Sequence, residues 1–186
     1  MAKHSLVALV EDKPGVLNRV SSLFRRRNFN IESIAVGGSE TPGLSRMTIV
    51  VDGSATSVEQ VRKQLDKLID VVKVTDITED TLVSRELALI KVKATASTRS
   101  EIIQIVDIFR ATILDVAADS VMVEVTGDEE KIESLYRLLK GFGIHEVART
   151  GRVAMARGIG AALGTGAREP KTLSRKVRGD KEVSNL

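Results

Sequence analysis

The chain has 186 residues, of which 42% are hydrophobic and 28% charged, values typical of a globular protein with one medium domain or two small ones. No apolar run approaches the roughly 20 residues that a membrane span needs, and the N-terminus lacks the features of a signal peptide, so we expect a cytoplasmic location. The absence of cysteine excludes disulfides, thiol nucleophiles and Cys-ligated zinc.

Positive charge is concentrated at the C-terminus. Residues 165–186 carry six basic and three acidic side chains, which leaves 22 of each sign in residues 1–164 of a chain whose net charge is +3. The high basic content is therefore a property of the tail and does not indicate a basic globular face. Nucleic-acid binding through this tail, sensitive to salt, is a minor alternative.

The first half of the chain contains four strand patterns. They are residues 4–10, 30–36, 45–51 and 71–78. A Gly-rich polar loop separates the second from the third. In the third, Met47, Ile49 and Val51 alternate with smaller or polar neighbours, which predicts a sheet buried on one face.

Two amphipathic helices lie between these strands. The first follows Pro14 and Gly15 and ends in three arginines, 25–27, which suit the negative end of a helix dipole. Its predicted apolar face consists of Val16, Leu17, Val20, Leu23 and Phe24. The second follows Gly53. The order strand, helix, strand, strand, helix, strand is that of a ferredoxin-like module.

The second half repeats this order, with a closing strand predicted over residues 144–155. Five positions match at a constant offset of 74: Gly53, Val58, Val61, Leu65 and Leu68 match Gly127, Ile132, Leu135, Leu139 and Phe142. Such self-similarity predicts two tandem copies of one module, and hence an α+β chain with two βαββαβ units.

A polar stretch at 78–84 marks the boundary between the copies. We therefore expect an N-terminal domain over 1–78, a C-terminal ferredoxin-like domain over 84–158, and a Gly-rich, basic, flexible tail over 159–186.

No combination of residues in the chain is typical of a catalytic site. His4 and His145 are the only histidines, and their separation offers no local spacing for a metal or a base. The Gly-rich run 158–166 lacks the GK[ST] ending of a phosphate loop. The strands carry no aromatic side chain for base stacking, which argues against RNA recognition by the sheets. The sequence therefore predicts no catalytic residue, no metal site and no bound cofactor.

The Pro14-Gly15 turn alone allows two interpretations. It is either a plain strand-to-helix connection or a helix start that receives an anion on its exposed amides. The surrounding sequence favours the second interpretation. Residues 11–36 (EDKPGVLNRVSSLFRRRNFNIESIAV), followed by LSRMTIVV at 44–51, closely resemble the N-terminal ACT domain of the regulatory (small) subunit of acetolactate synthase. REL at 85–87, DIFR at 107–110 and EVARTGRVAMARG at 146–158 resemble the remainder of that family.

The resemblance implies a non-catalytic regulatory protein that forms a homodimer through side-by-side ACT sheets. It implies a partner, the catalytic subunit, which would carry thiamine diphosphate, Mg and FAD. The regulatory chain would raise the activity of that subunit and confer feedback inhibition by valine, or by leucine or isoleucine, in branched-chain amino acid synthesis. The alternative is a free-standing ACT-domain amino-acid sensor that acts on another enzyme or on a transcription factor.

The resemblance also implies a set of ligand-binding positions. They are Asp12, Gly15, Val16, Leu17, Asn30, Ile31, Val36 and Gly37. Amides at a helix start suit the carboxylate of valine, and the Asn30 amide can both donate and accept. Some family members carry Asn at the position of Asp12. An ionised Asp side chain cannot donate a hydrogen bond to the ligand carboxylate, as Asn can. The alternative role for Asp12 is to cap the helix.

The second copy serves as an internal comparison. Aligning Phe24 with Phe109 places Ser100 opposite Gly15, and TASTRS at 95–100 replaces the Pro-Gly turn. We therefore expect the C-terminal module to lack the amino-acid site and to serve dimer or catalytic-subunit contacts.

Overall fold

The structure, a computed structural model, describes residues 2–158, so the expectation of a flexible tail over 159–186 lies outside the described residues. Its strands are β1 (Ala2–Glu11), β2 (Ile31–Gly38), β3 (Leu44–Gly53), β4 (Val71–Asp76), β5 (Leu82–Lys93), β6 (Thr112–Val116), β7 (Ser120–Gly127), β8 (Ile144–Arg149) and β9 (Val153–Ala156). Its helices are α1 (Val16–Arg26), α2 (Ala55–Leu65), α3 (Arg99–Ile108) and α4 (Glu129–Lys140).

The two halves have the same antiparallel topology. The first sheet has the order β2-β3-β1-β4, and the second has the order β6-β7-β5-β8. Each is therefore a βαββαβ unit with β1 or β5 near its centre, and the predicted fold class, two tandem ferredoxin-like modules, is confirmed. Between residues 2 and 158, no helix is long and apolar enough to span a membrane.

The main core of each module lies between its sheet and its two helices. In the first, Leu6, Ala8 and Val10 of β1 face the helices, as the period of two requires. Helix α1 buries Val16, Val20, Leu23 and Phe24 as predicted. Leu17, however, is 48% exposed. Its placement on the apolar face is wrong, because one residue turns the helix by about 100° and carries this side chain away from buried Val16 and into solvent.

The offset of 74 holds in the local geometry of α2 and α4. Ser54 caps α2 by accepting a hydrogen bond from Ser57 N, and Asp128, 74 residues later, caps α4 by accepting one from Lys131 N. Both caps follow a glycine with little free space, since a Cβ on Gly53 would lie 3.0 Å from the Phe29 ring and one on Gly127 2.6 Å from Lys131 Cδ. The repeat therefore places a glycine and a capping side chain at the start of both helices, although different side chains surround the two glycines.

The two central strands of the first sheet, β1 and β3, are buried on both faces, which corrects the expectation for β3. Thr48 and Val50, on the face away from the helices, are each only 1% exposed. Val7 and Leu9 on the same face pack with Ile77 and Ala154, which we call the junction core. Sequence alternation does not reveal this burial, because the covering segment lies more than 100 residues away.

The predicted closing strand is split in two. Residues 144–149 pair with the C-terminal half of β5, whereas residues 153–156 pair with its first four residues, Leu82 to Arg85. The break falls at Gly151, whose φ of 80° is a left-handed conformation that glycine adopts readily. Strand β5 already begins inside the polar stretch 78–84, and the exact domain boundaries stay a prediction.

Candidate functional site

The turn before α1 presents an open helix start. Gly15 is the N-cap residue, with φ 87° and no side-chain hydrogen bond to the helix amides. A Cβ placed on Gly15 would meet nothing within 4 Å. The amide of Val16 makes only a long 3.4 Å bond to the Lys13 carbonyl. Because the first amides of a helix carry the positive end of its dipole, this turn can receive a carboxylate.

The other predicted residues of this turn differ in what they offer. Val16 is only 4% exposed, so its side chain belongs to the core and only its backbone faces the turn. Asp12 is exposed, and its own amide donates to the Gly43 carbonyl at 2.8 Å. Asp12 does not cap the helix, since the cap at Gly15 has no side-chain partner. The alternative role for Asp12 is therefore wrong.

The turn is held to the sheet by contacts that the sequence does not signal. The Arg19 guanidinium pairs with the carboxylate of Asp70, which is buried at the start of β4. The Asp70 carbonyl in turn accepts a 2.8 Å hydrogen bond from Glu11 N. Arg19 and Asp70 are 51 residues apart, so no local pattern could have paired them. The left-handed Gly43, φ 77°, was detectable from its Pro-Gly dipeptide.

Asn30 and Ile31 lie at the opposite end of α1. They line an open depression of about 640 Å³ with Arg25, Asn28 and Phe29. Asn30 is exposed, and the basic last turn of α1 lies beside it. This depression therefore offers an amide and a guanidinium to a polar ligand.

The structure brings six of the eight predicted residues to one end of the N-terminal module and leaves two at the other. Val36 and Gly37 lie beside the Gly15 turn. Gly37 pairs with Arg46 near the start of β3, and the first residue of β3, Leu44, pairs with Glu11 just before the turn. Ile31 instead pairs with Val51, about 17 Å further along at roughly 3.4 Å per residue. Within one chain, a single amino acid cannot contact both Gly15 and Asn30.

The second module has no Pro-Gly turn at the equivalent position. That position, however, is not the one that the sequence alignment chose. Asn28 and Arg110 both have positive φ, 55° and 49°, and each follows the helix end by two residues. The modules therefore align here with an offset of 82, and Ser97 is the counterpart of Gly15. The alignment of Phe24 with Phe109, which chose Ser100, is wrong by about one helical turn, because both side chains satisfy the same apolar periodicity.

The equivalent turn in the second module is closed by its own side chains. Thr98 Oγ1 accepts from Thr95 N at 2.9 Å, and Thr95 Oγ1 accepts from Thr98 N at 3.3 Å. The Arg99 guanidinium donates to the carbonyls of Ala117 and Ala118 at 2.9 and 2.8 Å. These bonds brace the turn before α3 with its own side chains, although the N-cap residue Thr98, like Gly15, makes no side-chain hydrogen bond to the first helical amides.

The described part of the chain, residues 2–158, contains no group of three or more His, Asp or Glu side chains placed to hold a metal ion.

Known families match both modules. Residues 6–73 match the family described as "AHAS small subunit-like ACT domain", and residues 85–158 match "Small subunit of acetolactate synthase". The matched ranges stop on either side of the predicted boundary at 78–84.

Similar proteins share most of their length with this chain. It is 56% identical over 162 residues to the acetolactate synthase small subunit of Mycolicibacterium smegmatis, which covers 86% of this chain and 95% of that protein. It is 58% identical over 156 residues to the probable acetolactate synthase small subunit of Methanothermobacter thermautotrophicus, covering 83% and 93%. The crystal structure of the Thermotoga maritima small subunit superposes with a TM-score of 0.79 at 47% identity, covering 86% of this chain and 99% of that one.

Proposed function

The chain belongs to the acetolactate synthase small-subunit family, and from that premise we propose that it activates a catalytic subunit and makes it sensitive to feedback inhibition by valine. Leucine and isoleucine are the other candidate effectors. The chain performs no chemistry itself in this proposal. Thiamine diphosphate, Mg and FAD are assigned to the catalytic subunit, and the complex is assigned to the cytoplasm.

The main observation that supports an effector site is the open turn at Gly15. A free amino acid presents a carboxylate, an ammonium and a short side chain. The uncapped helix start offers amides and the positive dipole end to the carboxylate. Leu17 and Val36, each 48% exposed at the same end of the module, offer apolar surface to the valine side chain. Exposed Asp12 is within the same turn and suits the ammonium by its charge.

The separation of Asn30 from Gly15 supports a site built from two chains. Helix α1, 11 residues and roughly 16 Å long, separates the two positions within one chain. In a homodimer that joins the edge strands β2 side by side, the Gly15 turn of one chain can approach Asn30 of its partner. Strand β2 lies at the edge of its sheet, and Val36 on it is exposed, as such pairing requires.

Regulation requires that the effector bind two states of the complex with different affinities. A typical coupling free energy of about 1 to 3 kcal/mol corresponds to a 5- to 150-fold change in affinity. Valine bound between two N-terminal modules would supply this by holding one arrangement of the dimer. The C-terminal module, whose own turn is closed, is left for contacts within the dimer or with the catalytic subunit.

Reconstitution tests the proposal. We expect the purified chain to raise the activity of an acetolactate synthase catalytic subunit, and valine to lower that activity again. Parallel titrations with leucine and isoleucine, by activity and by calorimetry on the isolated dimer, rank the effectors. Absence of binding for all three amino acids, together with no effect on the catalytic subunit, would refute it.

A further inference from the structure

The two modules contact each other in two chemically different places. One is the junction core, where Val7, Leu9, Ile77 and Ala154 are all buried. Beside it, the Arg46 guanidinium donates to the Ala154 carbonyl at 3.1 Å, and burial lowers the pKa of Arg46. The four residues of the junction core are apolar and buried, and together with the Arg46 hydrogen bond they hold β9 against the first sheet.

The other contact is ionic. Lys3 Nζ lies 2.6 Å from Glu32 Oε1 on β2 and 2.6 Å from Glu129 Oε1 on α4. Glu129 also pairs with Arg152, whose backbone amide donates to Ser33 Oγ at 2.9 Å. We call Lys3, Glu32, Ser33, Glu129 and Arg152 the junction cluster. Hydrogen bonding to Glu129 raises the pKa of Lys3, and Lys3 holds the pKa of Glu129 below its usual value.

The junction cluster is built to be weaker than the junction core. The side chains of Lys3, Glu129 and Glu32 stay 42%, 41% and 33% exposed, and that of Arg152 is less exposed, at 19%. Ion pairs this exposed contribute little to stability and are screened by salt. A crevice of about 390 Å³, lined by Ser33, Glu129 and Arg152 among others, lies beside the cluster in place of packed side chains. The modules can therefore separate on this side while the junction core stays in contact.

Two members of the junction cluster directly follow two of the proposed effector residues in the chain. Asn30 and Ile31 are succeeded by Glu32 and Ser33, two members of the cluster. The β2–β3 register shifts between Ile31 and Ser33, which makes Glu32 a bulge residue. Bulges re-aim side chains and bend the strand locally. A ligand that fixes Asn30 and Ile31 therefore also restricts the residues that hold the second module.

We propose that the junction cluster couples effector binding on β2 to the orientation of the C-terminal module, with the bound state favouring the closed cluster. This inference rests on the proposed function, since it takes valine to contact Asn30 and Ile31. The two states differ by the ionic contacts of Glu32 and Glu129, and linkage requires that opening the cluster weaken valine binding.

Distance measurements on the full chain test the coupling. The protein has no cysteine, so spin labels can be attached to cysteines introduced at exposed Gln60 on α2 and Lys140 on α4. Labelled chain diluted with unlabelled chain gives one labelled copy per assembly. We expect valine to narrow the distance distribution between the two labels, and salt to broaden it in the absence of valine.

Two variants and a matched control decide the outcome. The variants are Glu129→Gln in the second module and Lys3→Met in the first. Each should broaden the distribution of distances between the two spin labels and weaken valine binding about three- to fivefold, the size expected for exposed ion pairs. Glu133→Gln is the control, because it removes a carboxylate one turn along the same helix that pairs with Arg149 at 3.2 Å inside the second module. It should change neither quantity.

The outcomes separate this inference from the proposed function. If the wild-type chain binds valine but both junction variants behave like Glu133→Gln, the coupling is refuted and the effector site stands. If the wild-type chain binds no branched-chain amino acid, the proposed function and the coupling both fail.

Discussion

The two modules share one topology and differ at the start of their first helix. Neither helix has a side-chain cap, but the first begins at a left-handed glycine, whereas the second follows a turn in which Thr95 and Thr98 accept hydrogen bonds from each other's amides. The counterpart of exposed Leu17 is Arg99, which bonds to two carbonyls of the β6–β7 turn. A duplicated fold thus retains its topology while the surroundings of the first helix start differ, with an open glycine in one copy and side chains bonded across the turn in the other.

Gly15→Asp should produce the largest effect, because it places a negative charge where the effector carboxylate binds. We expect valine inhibition in the reconstituted complex to be weakened by at least about tenfold, the loss of one charge-assisted hydrogen bond or more, while activation survives.

Gly15→Asn is the matched control. Asparagine has the same shape as aspartate, is neutral, and tolerates the φ of 87° as well as any residue other than glycine. It should retain much more of the inhibition. Equal loss in both variants would mean that backbone strain or bulk, and not charge, accounts for the effect.

A mixed dimer tests whether the site spans two chains. Asn30→Ala alone should weaken valine binding by about tenfold, as expected when a hydrogen bond to a charged group is lost. A dimer that combines one Gly15→Asp chain with one Asn30→Ala chain retains one site in which both residues are intact. Calorimetry should then recover about half of the wild-type number of sites, whereas each homodimer recovers none at wild-type affinity. A site contained within one chain would show no such recovery.

Thr95→Ala probes the closed turn of the second module. It removes one of the two acceptors of Thr98 N, since the Thr95 carbonyl at 3.2 Å remains, and we expect the free energy of unfolding to fall by about 0.5 kcal/mol, the low end of the range for a lost hydrogen bond. Valine sensitivity should not change. Denaturant unfolding and activity titration measure the two quantities, and a large change in valine affinity would contradict the assignment of this turn to structure alone.

The helix caps offer a test where the modules are alike. Ser54→Ala and Asp128→Ala should each destabilise the chain by about 0.5 to 1 kcal/mol. The Asp128 variant should be the more damaging, because its bond to Lys131 N is 2.9 Å against 3.4 Å for Ser54, and its charge also interacts with the helix dipole. Thermal unfolding at matched concentration compares them; a larger loss at Ser54 would show that the caps are not equivalent.

Much of the site could be predicted from residues alone, but the strand pairing that brings Val36 and Gly37 to the Gly15 turn could not. Pro14 and Gly15 marked the turn, and the resemblance supplied Asn30 and Val36. That Asn30 lies at the far end of α1 from Gly15 follows from the predicted helix between them, whereas the position of Val36 and Gly37 beside the Gly15 turn follows from the pairing of β2 with β3. The error at Ser100 had a similar origin, since periodicity leaves a helix free to shift by a turn until its two ends are seen.

The sequence by itself determined the order of strands and helices up to β8 and most of each apolar helix face, because these depend on the periodicity of residues within a few positions of one another, and it showed the duplication as a pattern repeated at a constant offset. Only the tertiary structure decided what covers Thr48 and Val50, where Gly151 splits the last strand, and how Lys3 meets Glu129 across 126 residues. These contacts join segments far apart in the chain, and no local sequence pattern in either segment predicts which segment it will contact. The same is true of the open turn at Gly15, whose amides are available because the structure places no side chain over them.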